Sequence, residues 1–314
     1  MTIHRHIAAG IDLGSNTFRL LIANCKAGSM AELAKKMATV RLGQGLTDSG
    51  LLQENAMQKG LDVLRTFRET LNRYQPQYLR VCGTAALRQA GNSGLFLQEA
   101  EDILQQTIDI IDGDEEARLS LAGASAGFSN PLSGPLLLVD VGGSSTELVF
   151  SETSRGETRV VSVLLGAVGL TERFIAAKDD YLDRLDSLLA EALADALEKL
   201  QLGKQQPLLV IGCGGTATSM AALDLGLPAY NATLVHGFVL QRTSMEKLWN
   251  RLIVLPAAER NGLPCLGDGR GEILPAGIRI YLVLLKLLRQ DKFQVSDTGL
   301  LEGILLSSLP RAPG

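Results

Sequence analysis

The sequence predicts an α/β protein of two similar halves, each a mixed sheet with helices outside. Three observations carry that prediction. The first is Leu136–Phe150, LLLVDVGGSSTELVF, where an apolar β-branched run ends in Asp140, crosses a Gly-Gly-Ser-Ser turn and resumes at Glu147. This pattern is a strand, a tight polar turn and a returning strand. The second is the opening hairpin, Gly10–Ile22, which has the same layout. Overlaid without a gap, Asp12 falls on Asp140, Gly14 on Gly142, Asn16 on Ser144 and Leu20-Leu21 on Leu148-Val149. A repeat that recurs only once implies two related half-molecules rather than a solenoid. The third is the alternation of strand and helix patterns downstream, the signature of a sheet covered by helices.

Elements follow in order. Ala31–Leu42 has strand character and completes a three-stranded start. Gln53–Tyr74 places Met57, Leu61, Leu64, Phe67, Leu71 and Tyr74 at helical spacing, and Pro76 ends that helix. Tyr78–Cys82 reads as a short strand, Gly94–Gln106 as a helix with a cap near Asn92 or Ser93, and Ile108–Ile111 as a strand. Gly113–Arg118 (GDEEAR) opens a helix toward Phe128, and Asn130–Pro135 is a loop. The second half repeats the scheme. Arg159–Leu165 is its third strand, Val168–Ala176 a short helix and Tyr181–Leu202 a long leucine-faced helix. Pro207–Ile211 is a buried strand, after which Gly212-Cys213-Gly214-Gly215-Thr216 leads into another helix. Such a junction turns helix N–H groups toward an anion or a ribose. Gly237–Ile253, Ala276–Leu288 and Gly299–Leu309 read as helices, with Phe293–Val295 a short strand. The domain boundary falls near residues 122–130. It gives an N-terminal domain 1–124, a C-terminal domain 125–298 and a closing helix 299–314 that packs back on the first half.

Composition narrows the function. A length of 314 residues and 46% hydrophobic content suit two ordinary cores. A net charge of −4 with no basic run argues against a nucleic-acid binder, although a local basic lining could still serve a polyanion. Four scattered cysteines with no C-x-x-C pair suggest neither a disulfide framework nor a zinc site, and read as buried positions in a reducing compartment. With three histidines in the chain, histidine-based metal chemistry is not expected. There is no signal-like block and no apolar run of membrane-spanning length, so a soluble cytoplasmic protein with no membrane partner is expected.

The chemistry lies in the turns. Glycine and small hydroxyl residues let backbone approach a ligand closely, and successive turn N–H groups form anion-binding concavities. Each hairpin also brings a carboxylate to the end of its incoming strand. A carboxylate beside a phosphate repels it unless a cation or an in-line water lies between, which is the arrangement of phosphoryl transfer. Either hairpin alone is equally well an ordinary glycine turn; the matched pair is what points to phosphate.

Two hairpin-led halves with acidic phosphate turns resemble the superfold of actin, sugar kinases and heat-shock chaperone ATPases. The fold implied is a pair of duplicated ribonuclease-H-like (actin-like ATPase) domains flanking an interdomain cleft. Ile11–Asn16, Gly83–Arg88, Gly113–Arg118, Asp140–Glu147, Leu165–Val168, Val235-His236-Gly237 and Ser296-Asp297 together resemble the exopolyphosphatase / guanosine pentaphosphate phosphohydrolase family. That resemblance implies Glu116 as the base activating water, with Glu115 its close competitor, and Arg88 neutralising phosphate oxygens. Without the family, Glu116 reads as a helix-start acid favoured by the dipole, and Arg88 as an exposed helix arginine. The resemblance also implies that Asp140 and Glu147, with Asp12, hold Mg2+ or orient water, an oxygen-only set suited to that ion. Gly14, Ser15 and Asn16, Gly142, Gly143, Ser144 and Ser145, and Gly214 and Gly215 would hold phosphate. Asn92 is a further candidate.

The chain departs from the family in two places: Ser144 stands where a third glycine is usual, and Leu301 where an arginine usually precedes Glu302-Gly303. The activity implied is hydrolysis of terminal phosphoanhydride bonds of inorganic polyphosphate, by a homodimer. Guanosine pentaphosphate is the alternative substrate. A kinase or ATPase of the same superfold, and a non-catalytic phosphate sensor, are the rival readings.

Overall fold

The computed structural model describes residues 6–26, 29–128, 132, 134–152, 156–175, 181–202, 208–267 and 269–310. Half of the expected loop Asn130–Pro135, residues 130, 131 and 133, lies outside them. The chain divides into two compact units, Met1–Gly123 with Leu300–Gly314, and Ala124–Gly299.

The first unit begins with β1 (Ile7–Leu13), β2 (Thr17–Lys26) and β3 (Ser29–Thr39), then a one-turn α1 (Leu46–Ser49) and α2 (Glu54–Tyr74). It continues through β4 (Tyr78–Gly83), α3 (Ala85–Gln89), α4 (Ser93–Leu104), β5 (Ile108–Ile110) and α5 (Gly113–Gly127), whose last residues belong to the second unit. The strands lie in the order β3-β2-β1-β4-β5, with β1–β2 and β2–β3 antiparallel and β1–β4 and β4–β5 parallel. One face of the sheet is covered by α2 and α4, through Leu61, Leu64, Phe67 and Leu71 of α2 and Phe96, Ala100 and Leu104 of α4. Burying each such leucine or phenylalanine contributes about 1.5–3 kcal/mol. Leu301 and Leu305 pack on the other face, against Ala8, Leu21 and Ala23. Gly10 permits that approach, because a Cβ there would lie 2.8 Å from Leu305 N. Cys82 is fully buried with Ile111, Leu119, Leu300 and Ile304, and burial pushes its thiol up to about 12.

The second unit holds β6 (Pro135–Val141), β7 (Thr146–Glu152), β8 (Glu157–Val163), α6 (Ala167–Leu170) and α7 (Tyr181–Lys199). Then come β9 (Leu209–Cys213), α8 (Gly214–Asp224), α9 (Ala232–Val235), β10 (Val239–Gln241), α10 (Arg242–Ile253), α11 (Ala257–Asn261), α12 (Arg270–Leu288) and β11 (Lys292–Val295). The last helix of the chain, α13 (Leu300–Ser307), belongs to the first unit and carries Leu301 and Leu305. The second sheet runs β10-β11-β9-β6-β7-β8. Read from β8, its order β8-β7-β6-β9-β11 repeats the first sheet's β3-β2-β1-β4-β5, the same strand directions included, with β10 an added antiparallel edge. Both units therefore have the ribonuclease-H-like order, and α7 follows the third strand as α2 does in the first unit. At the centre, Tyr281 of α12 stacks on Phe293 with centroids 4.7 Å apart and donates to Val139 O at 3.0 Å.

Several local readings differ. The expected helix from Gly237 begins only at Arg242, because Val239–Gln241 pairs with β11 and shows the exposed–buried–exposed alternation of a strand. The helix expected from Ala276 begins at Arg270 and carries Pro275 inside it. The residues around that proline are buried, so packing compensates for the lost hydrogen bond that would normally end a helix there. The strand expected at Pro207–Ile211 runs Leu209–Cys213, reaching two residues further, and Pro207 lies outside the described residues. The short helix expected from Val168 is one α turn, Ala167–Leu170, that widens over Thr171–Ile175, and Ala176 lies outside the described residues. No described helix is long and apolar enough to cross a membrane.

Candidate active site

The two glycine turns are built the same way. Gly14 N donates to Thr17 O at 3.1 Å, and Gly142 N to Ser145 O at 2.9 Å. The gap-free overlay thus holds at the level of individual hydrogen bonds. Each turn is also held from behind by the chain that leaves the third strand. In the first unit Val40 N and Arg41 N both donate to Asn16 O at 2.9 Å, and Gly43 N donates to Ser15 O at 2.8 Å. In the second, Ala167 N donates to Gly142 O at 2.9 Å and Val168 N to Gly143 O at 2.8 Å. Gly166 packs so closely on this turn that a Cβ would overlap the Gly143 carbonyl and lie 2.5 Å from Ser144 N. Thr146 Oγ donates to Leu165 O at 2.7 Å and fixes the same junction. Leu165–Val168 is therefore the support of the second turn. Leu42-Gly43-Gln44-Gly45-Leu46 is its sequence echo in the first half, a signal that could have been read without coordinates.

The carboxylates at the strand ends differ between the units. Asp12 sits opposite Arg19 across the first hairpin, and Arg19 binds its Oδ2 through Nε at 2.7 Å and Nη2 at 2.6 Å. Asp140 sits opposite Glu147 across the second hairpin, and Ser162 on β8 donates to Glu147 Oε1 at 2.9 Å. Asp12 and Glu147 are each 2% exposed. Arg19 was not singled out in the sequence, yet the overlay that puts Asp12 on Asp140 also puts Arg19 on Glu147. The same sheet position is thus a cation in one unit and an anion in the other.

Asp140 meets the start of α8. Gly214 has φ +75°, and a Cβ there would run into the Asp140 carboxylate, so glycine is required on both conformational and steric grounds. The helix N-terminus beside it favours negative charge. Gly215 lies against the guanidinium of Arg270, and Thr216 Oγ donates to Val141 O at 3.2 Å, tying α8 to the end of β6.

Glu115 and Glu116 are separated by their partners. Glu115 accepts from Arg80 Nη2 at 2.6 Å, and Arg80 also binds Asp109 at 2.9 Å and Ser307 Oγ at 2.9 Å. Burial works against the Arg80 charge, but the hydrogen bonds to Glu115 and Asp109 offset it and hold its pKa above the usual value. Glu116 is 8% exposed, with Oε2 3.5 Å from Arg88 Nη1. Arg88 donates to Ile111 O and is half-buried rather than a solvated helix arginine. Asp112 caps this helix start, its Oδ1 accepting from Glu115 N at 2.8 Å.

The remaining residues of the family resemblance have these partners. Asn92 binds Leu52 in both directions, accepting from its N at 2.8 Å and donating to its O at 3.0 Å, which makes it a tie to the loop before α2. Leu301 is 1% exposed in the apolar layer under the first sheet, so the arginine usual at this place is replaced by a packing residue. Val235-His236-Gly237 and Ser296-Asp297 come together, with Asp297 N donating to His236 Nδ1 at 3.2 Å and Tyr230 OH bonded to Asp297.

Among the described residues no group of three or more His, Cys, Asp or Glu side chains is gathered as a metal cage. Magnesium does not need one, since it keeps several waters and takes one or two carboxylates together with substrate phosphates. The facing Asp140 and Glu147, all-oxygen and of like charge, fit that requirement. Asp12 is already engaged by Arg19.

Two ribonuclease-H-like units, each led by a hairpin with an acidic strand end and a buttressed glycine turn, define a member of the actin-like ATPase superfold. The model of the Ppx/GppA phosphatase family matches residues 21–312, and the chain belongs to that family. It is 31% identical over 300 residues to a guanosine-5'-triphosphate,3'-diphosphate pyrophosphatase of Aliivibrio fischeri, covering 94% of this chain and 58% of that protein. It is 30% identical over 318 residues to exopolyphosphatase 2 of Mycobacterium tuberculosis, covering 95% and 97%. The crystal structure of the Aquifex aeolicus member of the Ppx/GppA family superposes with a TM-score of 0.78 at 29% identity, covering 96% of each chain. The chain thus spans little more than half the length of the pyrophosphatase relative and nearly all of the exopolyphosphatase.

Proposed function

We propose that the protein is an exopolyphosphatase that removes orthophosphate from the end of inorganic polyphosphate by attack of water. The observation that carries this reading is the facing pair Asp140 and Glu147 at the glycine turn of the second unit. Two carboxylates across one hairpin repel each other and a phosphate alike, so they call for a bridging cation. Asp140 and Glu147 would hold Mg2+, with Asp12 on Arg19 completing the acidic set assigned to the two hairpins. When bound, the ion supplies charge neutralisation for the phosphate chain.

Within each unit's own turn, the N–H groups offered to phosphate oxygens are those of Ser15 and Asn16 in the first and of Gly143 and Ser144 in the second, because those of Gly14 and Gly142 close the turns themselves. Ser145, Gly214 and Gly215 complete the phosphate-binding set. Glu116 is the base that takes the proton from water, and Arg88 beside it neutralises equatorial oxygens. The removal of Glu115 into the Arg80 network supports Glu116 for this role.

Guanosine pentaphosphate is the second reading, and the likeness to the pyrophosphatase of Aliivibrio fischeri favours it. The test offers the purified protein, with Mg2+, long-chain polyphosphate, guanosine pentaphosphate, or ATP with candidate acceptors, and measures released phosphate. Polyphosphate is expected to turn over and chelation with EDTA to stop the reaction. Turnover of guanosine pentaphosphate alone would move the assignment to the second reading, and transfer from ATP to an acceptor would remove both.

A further inference from the structure

We infer that Ser162, on the edge strand β8, is the positioning residue for Glu147. The inference rests on the reading of Glu147 as a metal-holding carboxylate. Its physical basis is the contrast between the two repeats. In the first unit the residue opposite the strand-end aspartate is Arg19, and the Asp12–Arg19 ion pair orients both side chains. The residue across from Arg19 on the third strand is Met37, 52% exposed. In the second unit the residue opposite Asp140 is Glu147, of like charge, so the cross-strand partner that steadies Arg19 works against Glu147.

The third strand provides a contact that does orient it. Ser162 is in direct register with Glu147, and its hydroxyl donates to Oε1 at 2.9 Å. One row across the hairpin sheet thus reads Asp140, Glu147, Ser162. A hydroxyl donor on one oxygen of a buried carboxylate fixes the plane of the group and leaves its other oxygen directed by that plane. This is how outer partners orient metal-holding carboxylates, and their loss typically weakens metal binding about 10- to 100-fold.

The experiment compares Ser162→Thr with Ser162→Val. The two side chains have nearly the same shape, both suit a strand, and they differ in the hydroxyl. Mn2+, which takes the same carboxylate ligands as Mg2+, serves as the probe, and its binding to the substrate-free protein is read by electron paramagnetic resonance. Ser162→Val is expected to weaken Mn2+ binding about tenfold, and Ser162→Thr to bind as the unaltered protein does. Ser162→Ala is measured in parallel, so that hydroxyl removal stays readable if the valine variant misfolds. Equal Mn2+ binding by the Thr, Val and Ala variants, alongside weakened binding by Glu147→Gln, would overturn the role of Ser162 and leave Glu147 in place. Unchanged binding by Glu147→Gln would remove the reading on which the inference stands.

Discussion

Replacing Glu116 with Gln is expected to lower phosphate release by about a hundred- to ten-thousand-fold, the usual contribution of a positioned general base. The change keeps the size of the side chain and its place beside Arg88, so the thermal unfolding midpoint is expected to stay close to that of the unaltered protein. Glu115→Gln separates the neighbours. Glu115 is held by Arg80, which also reaches Asp109 and Ser307, so its removal is expected to loosen the first unit while leaving most of the turnover. Such exposed pairs contribute at most about 1 kcal/mol. Steady-state phosphate release and thermal unfolding of the two variants check both statements. A Glu115→Gln protein that loses the larger share of activity would reverse the assignment.

The second large effect is expected at Gly166. A methyl group there would be driven into the Gly143 carbonyl and toward Ser144 N, so the second turn must shift. Overpacking of this kind costs about 1–3 kcal/mol. The larger consequence is for catalysis, because a displacement of about 1 Å in a positioning element can cost about a hundredfold in rate. Gly166→Ala is therefore expected to fold with a lowered unfolding midpoint and to lose about that much activity. Gly94 in α4 is the control, since a Cβ there meets nothing within 4 Å. Alanine at Gly94 should leave turnover unchanged and gain up to about 1 kcal/mol from helix propensity. Wild-type turnover by the Gly166→Ala protein would show that the turn does not need its support.

Much of the fold was legible because it is written twice. The hairpin overlay, made from the aspartate, glycine, small polar and apolar positions of the two stretches, survives as matched turn hydrogen bonds and matched strand orders. The elements that escaped are those decided by tertiary contact. Val239–Gln241 is a strand because β11 offers it an edge, which no local pattern records. The early start of α12 overrides the local meaning of Pro275 through the burial around it.

For the candidate site, the sequence put forward the acids but not the side chains that pair with them. Arg19 escaped although the repeat aligned it with Glu147, because a basic residue aligned with an acidic one does not register as similarity. Glu115 and Glu116 could not be told apart in sequence, since adjacent helix positions differ only in the direction they face. Arg80 and Arg88, 35 and 28 residues upstream of their respective glutamates, make the distinction.

In the proposed reaction water attacks the terminal phosphorus, and isotope labelling follows the oxygen that it delivers. Polyphosphate is hydrolysed by the protein in water enriched in oxygen-18, and the released orthophosphate is examined by mass spectrometry. One solvent-derived oxygen is expected in each released orthophosphate and none in the shortened chain. Orthophosphate without label, or label carried by the remaining chain, would contradict it.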